Sequence, residues 1–525
     1  MLKLRLAIMA AVLATAPAAF AAPPAGFESQ VEALRKANGD PGITIAIVED
    51  GKVTLAKGFG VRGLKDPRPV DADTIFQIGS VSKAFTAAAL ATLVDEGKLK
   101  WDAPVIDYMP EFRMYDAWVT REMTVRDLLT HRSGLCLGQG DLMMVPANVI
   151  SRAEVVRRLR YLKPCTSFRS AYAYDNVLYA AAGLLVERVS GKTWEQYVTE
   201  KIMRPAGMSD AVSNDADRHK ASNRALPHGR LGEVRGSGPL EAFDEKGVTL
   251  SANSAPAGAI AASASDMAAW IQTQLAGGKA PGGAQVFSTA SRDEMWKGVV
   301  PVSGGVTTGV LGDASPKFRL YGLGWSVQDY RGHKTVSHGG GVLGSIATIV
   351  LIPERNSGFA IMLNSEDSAL LAGLQNTLLD HYLGLPGRDW PKAYKEFLDA
   401  RSQQAVAFVK ASTQAKPASK PSLPLSGYVG TYADPWYGPM SISEKDGKLW
   451  IDFQQTPQMK GPLEHWAYDT FVARFPGSVT TEPAYVSFAL GADGKPKQIT
   501  MKAVSPIADF SYDYHDLNFT PVAAK

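Results

Sequence analysis

The stretch from Asp73 to Gly97 constrains this chain more than any other, and the rest has to be organised around it. Asp73-Thr74-Ile75-Phe76-Gln77-Ile78 is apolar enough for a buried, extended entry. Ala84 to Gly97 is an Ala- and Leu-rich run with Leu90, Leu93 and Val94 on one face, and its final glycine suits a helix C-cap. Between the two, Ser80 falls at or just inside a helix N-terminus, with Lys83 one turn on and on the same side. A serine hydroxyl is a poor nucleophile at neutral pH and needs a base. Partial burial lowers a lysine's pKa until its neutral amine accepts a proton. N–H groups at the helix end favour negative charge developing near Ser80. This is the only S-x-x-K in the chain. A surface capping serine leaves the same pattern, but apolar flanks do not suit a solvated cap.

At 525 residues the chain exceeds one ordinary core, so two or three domains are expected. A hydrophobic content of 45% with 20% charged residues describes a globular chain. The formal charge is only +3 with no long basic run, so nothing argues for nucleic acid. Lys3 and Arg5 precede an apolar run from Leu6 to Ala14 and then Ala19-Phe20-Ala21, which predicts a cleavable export signal over residues 1–21. That run is too short to span a bilayer comfortably, and no later stretch reads as a transmembrane helix. The protein is therefore expected in the periplasm or outside the cell. In that setting Cys136 and Cys165 form either one disulfide or two free buried thiols.

Along the chain, Phe27 to Ala37 reads as an amphipathic helix. Ile43 to Val48 reads as a strand turned by Asp50-Gly51 into Val53 to Phe59. Helices follow at Ala153–Tyr161, Val177–Val189, Trp194–Met203 and Ser265–Leu275, and Asp210 to Pro256 is a polar, Gly-rich candidate wall for a cleft. Tyr321–Val327, Thr335–His338, Ser345–Ile352 and Gly358–Leu363 read as strands. Strands, then helices, then strands predict an antiparallel sheet completed by both ends of the domain and packed on a helical half, an α/β (α+β) fold. Two helices, Leu370–Tyr382 and Ala393–Val409, lead to the Pro/Lys/Ser linker from Lys416 to Pro424. Beyond it, short alternating segments broken by Asp446-Gly447, Pro476-Gly477 and Asp493-Gly494 predict a small antiparallel β-domain. The resulting division is a signal at 1–21, a main domain at 22–390, helix and linker at 391–424, and a β-domain at 425–525.

Two more motifs follow Ser80. Tyr174-Asp175-Asn176, the only Y-x-N in the chain, enters the Val177 helix. A phenol with a lowered pKa relays a proton, and the Asn176 amide holds Lys83 or a substrate carbonyl. Asp-Asn before a helix is also ordinary N-cap chemistry. His338-Gly339-Gly340-Gly341 ends a predicted strand. Its glycines let a substrate lie against the strand edge, and the Gly341 N–H is placed to help receive an oxyanion. A Gly-rich turn with an incidental histidine is the plainer reading. His131 and His465 have no comparable context and are read as structural. The eight histidines show no metal-binding spacing, so neither a metal nor a cofactor is expected.

S-x-x-K, Y-x-N and H-x-G in this order are specific where each alone is weak. From about Val31 to Pro386 the chain resembles the serine β-lactamase-like hydrolases: class C β-lactamases, D-aminopeptidases, DD-carboxypeptidases and related esterases. Leu128 to Leu135, Phe168 to Gly183, Tyr321 to Trp325 and His338 to Asn364 extend the likeness. The resemblance implies a β-lactamase/transpeptidase-like fold and an acyl-enzyme on Ser80, with Lys83 and Tyr174 in proton transfer. Asn176, His338, Gly340 and Gly341 fall at the substrate and oxyanion. It also implies a lipocalin-like β-barrel for the tail. The chain is similar in outline to the linearised-microcystin peptidases of this group. It departs from the β-lactamases in carrying His338 where they carry a lysine that helps recognise the β-lactam carboxylate. The expectation moves accordingly to peptides, amides or esters, with an esterase or a penicillin-binding module without turnover as the alternatives. His338 is expected to position substrate or Tyr174. The tail is expected either to be a filled barrel with Trp436, Tyr437, Trp450 and Trp466 in its core, or to reach the cleft through Asp434–Gly438, and it is a candidate oligomerisation surface.

Overall fold

A computed structural model describes residues 23–232, 235–303, 308–414, 418–476 and 481–522. The predicted export signal and the first residues of the linker lie outside them. The main body is a nine-stranded antiparallel sheet. From edge to edge its order is Asp66–Pro69, Lys52–Gly63, Gly42–Glu49, Ser357–Leu363, Ser345–Ile352, His333–Val342, Ser326–Tyr330, Arg319–Tyr321 and Val300–Pro301. Its two halves meet where Gly42–Glu49 pairs with Ser357–Leu363, Ile43 opposite Leu363 and Ile47 opposite Phe359.

Both faces of the central strands are buried, and the period of two decides what each face meets. Ile43, Ile45, Ile47, Phe359, Ile361 and Leu363 pack with the helices Phe27–Asn38 and Ser368–Leu383. Ala46, Val48, Ala360 and Met362 turn to the opposite side, where Ala264–Leu275 and Ser82–Asp95 lie. In Ser82–Asp95 every residue from Ser82 to Leu93 is buried. Its alanines at 84, 87, 88, 89 and 91 allow neighbours to approach closely, and Phe85 stacks on Trp270 with ring centroids 4.2 Å apart.

One predicted strand is divided. Tyr321 to Val327 forms the end of Arg319–Tyr321 and the start of Ser326–Tyr330, with a turn between. Gly324 sits in that turn at φ +77°, and a Cβ there would lie 2.8 Å from the Lys83 carbonyl oxygen. The turn is thus what lets the sheet touch the Ser80 helix.

The tail is a closed eight-stranded antiparallel barrel running from Gly430–Asp434 to Asn518–Pro521, closed by pairing of Tyr432 with Pro521. Tyr432, Met440, Ile451, Leu463, Phe471, Val486, Phe488, Ile499 and Phe519 fill it. Of the four aromatics expected inside, Trp436 and Tyr437 are buried, whereas Trp450 and Trp466 are half-buried. The barrel docks on the helix Arg152–Arg158. Arg158 Nη1 donates to the Tyr437 carbonyl, to the Trp436 carbonyl at 3.3 Å and to Gln455 Oε1 at 2.9 Å, and Nε donates to Glu154 at 2.6 Å.

Arg158 is 6% exposed, so its removal leaves buried carbonyls without a donor. Arg158→Ala is expected to lower the unfolding free energy by about 2–3 kcal/mol. Urea titration checks this, and an unchanged midpoint would show that the barrel docks without it.

Candidate active site

Ser80 lies in a 3₁₀ turn, Gly79–Val81, that runs directly into the helix Ser82–Asp95. The turn is pressed against the strand His333–Val342. A Cβ on Gly340 would sit 1.9 Å from the Ile78 carbonyl oxygen and 3.0 Å from the Ser80 nitrogen. A Cβ on Gly79, at φ +51°, would sit 2.6 Å from the Gly341 nitrogen. The two glycines therefore bring the backbone of Ser80 and that of Gly341 together. The strand pairs with Ser326–Tyr330 only as far as Ser337, so from His338 to Val342 that edge carries no strand partner among the described residues.

Lys83 is fully buried, and its Nζ touches three oxygens: Ser80 Oγ at 3.0 Å, Asn176 Oδ1 at 2.7 Å and the Ala257 carbonyl at 3.0 Å. Desolvation pulls its pKa down to about 7, against the opposing pull of Asp141 and Asp175. Nζ also lies 4.7 Å from the Tyr174 ring centre and 5.1 Å from that of Tyr179.

Loss of water pushes the Tyr174 phenol well above its ordinary value, and the neighbouring Ser80 hydroxyl offsets this only in part. The lowered phenol pKa expected from the sequence is not what this environment produces; Tyr174 stays protonated while Lys83 titrates. Its ring packs on His131 at 4.3 Å between centroids, and His131 Nδ1 accepts from the Asp175 N–H at 3.2 Å. His131 is thus buried directly behind Tyr174.

His338 uses both ring nitrogens. Nδ1 contacts the Gly339 carbonyl at 2.6 Å and Nε2 the Tyr321 hydroxyl at 2.8 Å. A carbonyl only accepts, so Nδ1 carries the hydrogen and Nε2 accepts from Tyr321. Burial, with Lys83 and His131 nearby, pushes its pKa down to about 3, so the imidazole is neutral. It is tied to Tyr321 and its own backbone rather than to Tyr174.

Ser80, Tyr174, Asn176, His338, Gly340 and Gly341 all line one cleft of about 700 Å³. The polar Asp210–Pro256 segment contributes Arg235 and Leu250. Asp434–Gly438 does not reach it, because its tip is folded inward: Asp434 Oδ1 accepts from the Trp436 and Tyr437 N–H groups at 2.8 and 3.0 Å. Another barrel segment, between Pro496–Ala503 and Asn518–Pro521, brings Ile507, Phe510, Ser511 and Tyr512 to the cleft. Asp141 is a further member that sequence reasoning missed, since it sits in a Gly-rich loop without a motif. The two cysteines are joined as Cys136–Cys165.

Comparison with known proteins agrees with this geometry. The family model described as Beta-lactamase matches residues 27–383, and a domain of unknown function, DUF3471, matches residues 414–521. An unguisins hydrolase of Aspergillus campestris is 30% identical over 485 residues, covering 87% of this chain and 85% of that one. Penicillin-binding protein 4 of Amycolatopsis lactamdurans is 28% identical over 357 residues, covering 65% and 85%. The octameric penicillin-binding protein homologue from Pyrococcus abyssi shares the fold at a TM-score of 0.58 and 22% identity, covering 94% and 99%.

The closeness of Gly340 to the Ser80 turn yields a direct expectation. Gly340→Ala must displace the strand from the turn, and a displacement near 1 Å at a reacting centre costs about a hundredfold in rate. Turnover of a p-nitrophenyl ester measures it. Activity near wild type in Gly340→Ala would mean that the contact has no part in the chemistry.

Proposed function

We propose, from the premise that this chain belongs to the β-lactamase family of serine hydrolases, that it cleaves peptide or amide bonds through an acyl-enzyme on Ser80 with Lys83 as the base. The observation that carries this reading is the set of three contacts at Lys83 Nζ. A neutral amine has two N–H bonds and one lone pair. The Ala257 carbonyl and Asn176 Oδ1 accept only, so they take the two N–H bonds and leave the lone pair to the Ser80 hydroxyl. A pKa near 7 keeps much of the amine neutral at physiological pH.

Ser80 Oγ attacks the substrate carbonyl as its proton passes to Lys83, and the N–H groups of Ser80 and Gly341 receive the oxyanion. Tyr174, beside Ser80 and still protonated, gives its proton to the leaving nitrogen and recovers one from Lys83. The C–N bond breaks, and water retraces the path to release the acid. Asn176 holds Lys83, and His338 with Gly340 shapes the strand edge along which the substrate lies.

The substrates assigned are peptides or amides, including those with D- or unusual residues such as linearised microcystin. Walls built from Met144, Val145, Leu250, Ile346 and Phe510 suit an apolar chain. Efficient β-lactam turnover is not expected, because a neutral His338 cannot supply the cation that a lysine would. A relative named as a hydrolase supports turnover over stable acylation. The predicted signal and the Cys136–Cys165 disulfide together support an oxidising compartment outside the cytoplasm. Among the described residues no helix is long and apolar enough to cross a membrane. The octameric relative supports self-assembly as a further property to test.

Ser80→Ala is expected to abolish fluorophosphonate labelling and to cost on the order of 10⁴-fold or more in turnover, with Lys83→Ala nearly as damaging. Wild-type rates in a folded Ser80→Ala protein would remove the nucleophile assignment.

The pH dependence follows from Lys83. Its charged form cannot accept a proton, so kcat/KM should be low in acid, rise through a pH of about 7 and level off above it. An acid limb near pH 4, the carboxylate range, would place the base elsewhere.

A further inference from the structure

The Asn176 amide has two ends, and the chemistry above works in only one orientation. Oδ1 must face Lys83; with Nδ2 there, a donor would meet a donor and compete for the lysine lone pair. Nothing in the Asn176 side chain itself selects between the two. The selection comes from its other neighbour, because Asn176 Nδ2 donates to Asp141 Oδ2 at 2.8 Å. An ionised carboxylate only accepts, so it draws Nδ2 towards itself and leaves Oδ1 for Lys83.

Asp141 is in turn held by the barrel. Ser511 Oγ donates to the same Asp141 oxygen at 3.0 Å. Asp513 grips the backbone on both sides of Asp141, accepting from the Gly140 N–H at 2.6 Å and the Leu142 N–H at 3.1 Å. Asp141 and Asp513 are both fully buried, and Asp141 Oδ1 has no hydrogen-bond partner among the described residues. A buried carboxylate left partly unsatisfied is costly and suggests a task other than stability.

We propose that Asp141 is a positioning residue that fixes the orientation of the Asn176 amide, and that Ser511 and Asp513 hold it in place, making the barrel part of the proton-transfer apparatus. The inference rests on the Ser80–Lys83 reading. Lys83 is faced by Asp141 and Asp175, by His338 and His131, and by the rings of Tyr174 and Tyr179. Asp141 is faced by Asn176, Ser511, Lys83, Asp509 and Asp513. Desolvation pushes the Asp141 carboxyl up to about 7, and the hydrogen bonds from Asn176 and Ser511 with the Lys83 charge oppose it, so these contacts favour the ionised form, which in turn raises the Lys83 pKa.

The test is a kcat and KM profile against pH for a p-nitrophenyl ester, on full-length protein. Asp141→Asn keeps the shape but lets the Asn176 amide turn. It should lower kcat roughly ten- to a hundredfold with little change in KM. Losing the negative charge should also move the acid limb to lower pH. Ser511→Ala should shift the limb in the same direction with a loss of about three- to tenfold, and Ser511→Thr, which keeps the hydroxyl, should restore it. Asp513→Asn, which loosens the grip on the Gly140 and Leu142 N–H groups, should lower kcat to a similar extent; if it fails to fold, the Ser511 pair decides. An unmoved acid limb in Asp141→Asn and Ser511→Ala proteins that melt like wild type would overturn the proposal while Ser80→Ala remains inactive. If Ser80→Ala turns over like wild type, the earlier reading fails and this one falls with it.

Discussion

A lysine amine without water is the demand that shapes this molecule. An ammonium group in the interior costs several kcal/mol unless its hydrogen-bonding needs are met. The acceptors that meet them at Lys83 come from positions 93 and 174 residues away in sequence, Asn176 and Ala257. The helical half exists to bring those segments together. The Ala-rich face of Ser82–Asp95 allows Val177–Ser190 and the Pro256–Ala257 turn to lie close, and Thr86 fixes that turn by donating to the Pro256 carbonyl at 2.7 Å. The sheet closes the remaining side through Gly324 and Gly340. What dries the lysine also lowers its pKa, so burial and basicity have one origin.

The parts of this arrangement that were legible in the sequence are those written in local periodicity and short spacing. Ser80 and Lys83 are one turn apart on an apolar helix, and the alternation in Ile43–Val48 and Gly358–Leu363 identified strands whose pairing joins the two ends of the sheet. The cluster around them was not legible. Asp141 meets Asn176 across 35 residues and Asp513 meets Gly140 across 373, and no local pattern records such contacts. Glycine misled in one place, since Gly322 and Gly324 turn a stretch that reads as one strand. His131 looked incidental because ring packing on Tyr174 leaves no trace in spacing.

The tail is a filled barrel that reaches a cleft on another part of the chain. Its aromatic core fixes the strands, and rigid strands fix the connection from Ser505 to Leu517. That connection carries the polar anchors Ser511 and Asp513 beside the apolar Ile507 and Phe510. Through Asp141 and Asn176 this connection is linked by hydrogen bonds to the lysine itself. The same connection therefore meets both the open cleft and the polar contacts behind Lys83.

The order of the main sheet has a consequence for how such a chain survives before it is folded. An open sheet exposes two rims of unpaired backbone groups, and long apolar rims recruit other chains into aggregates. Here the rim strands are four and two residues long, Asp66-Pro67-Arg68-Pro69 and Val300-Pro301. Proline, which lacks an N–H, occupies alternate positions of the first and ends the second. The barrel has no rim at all. Beside the first rim, Lys52–Gly63 pairs with it only at Val61 and Gly63, and the exposed Lys52 and Lys57 discourage a neighbouring copy from pairing along the rest of that strand.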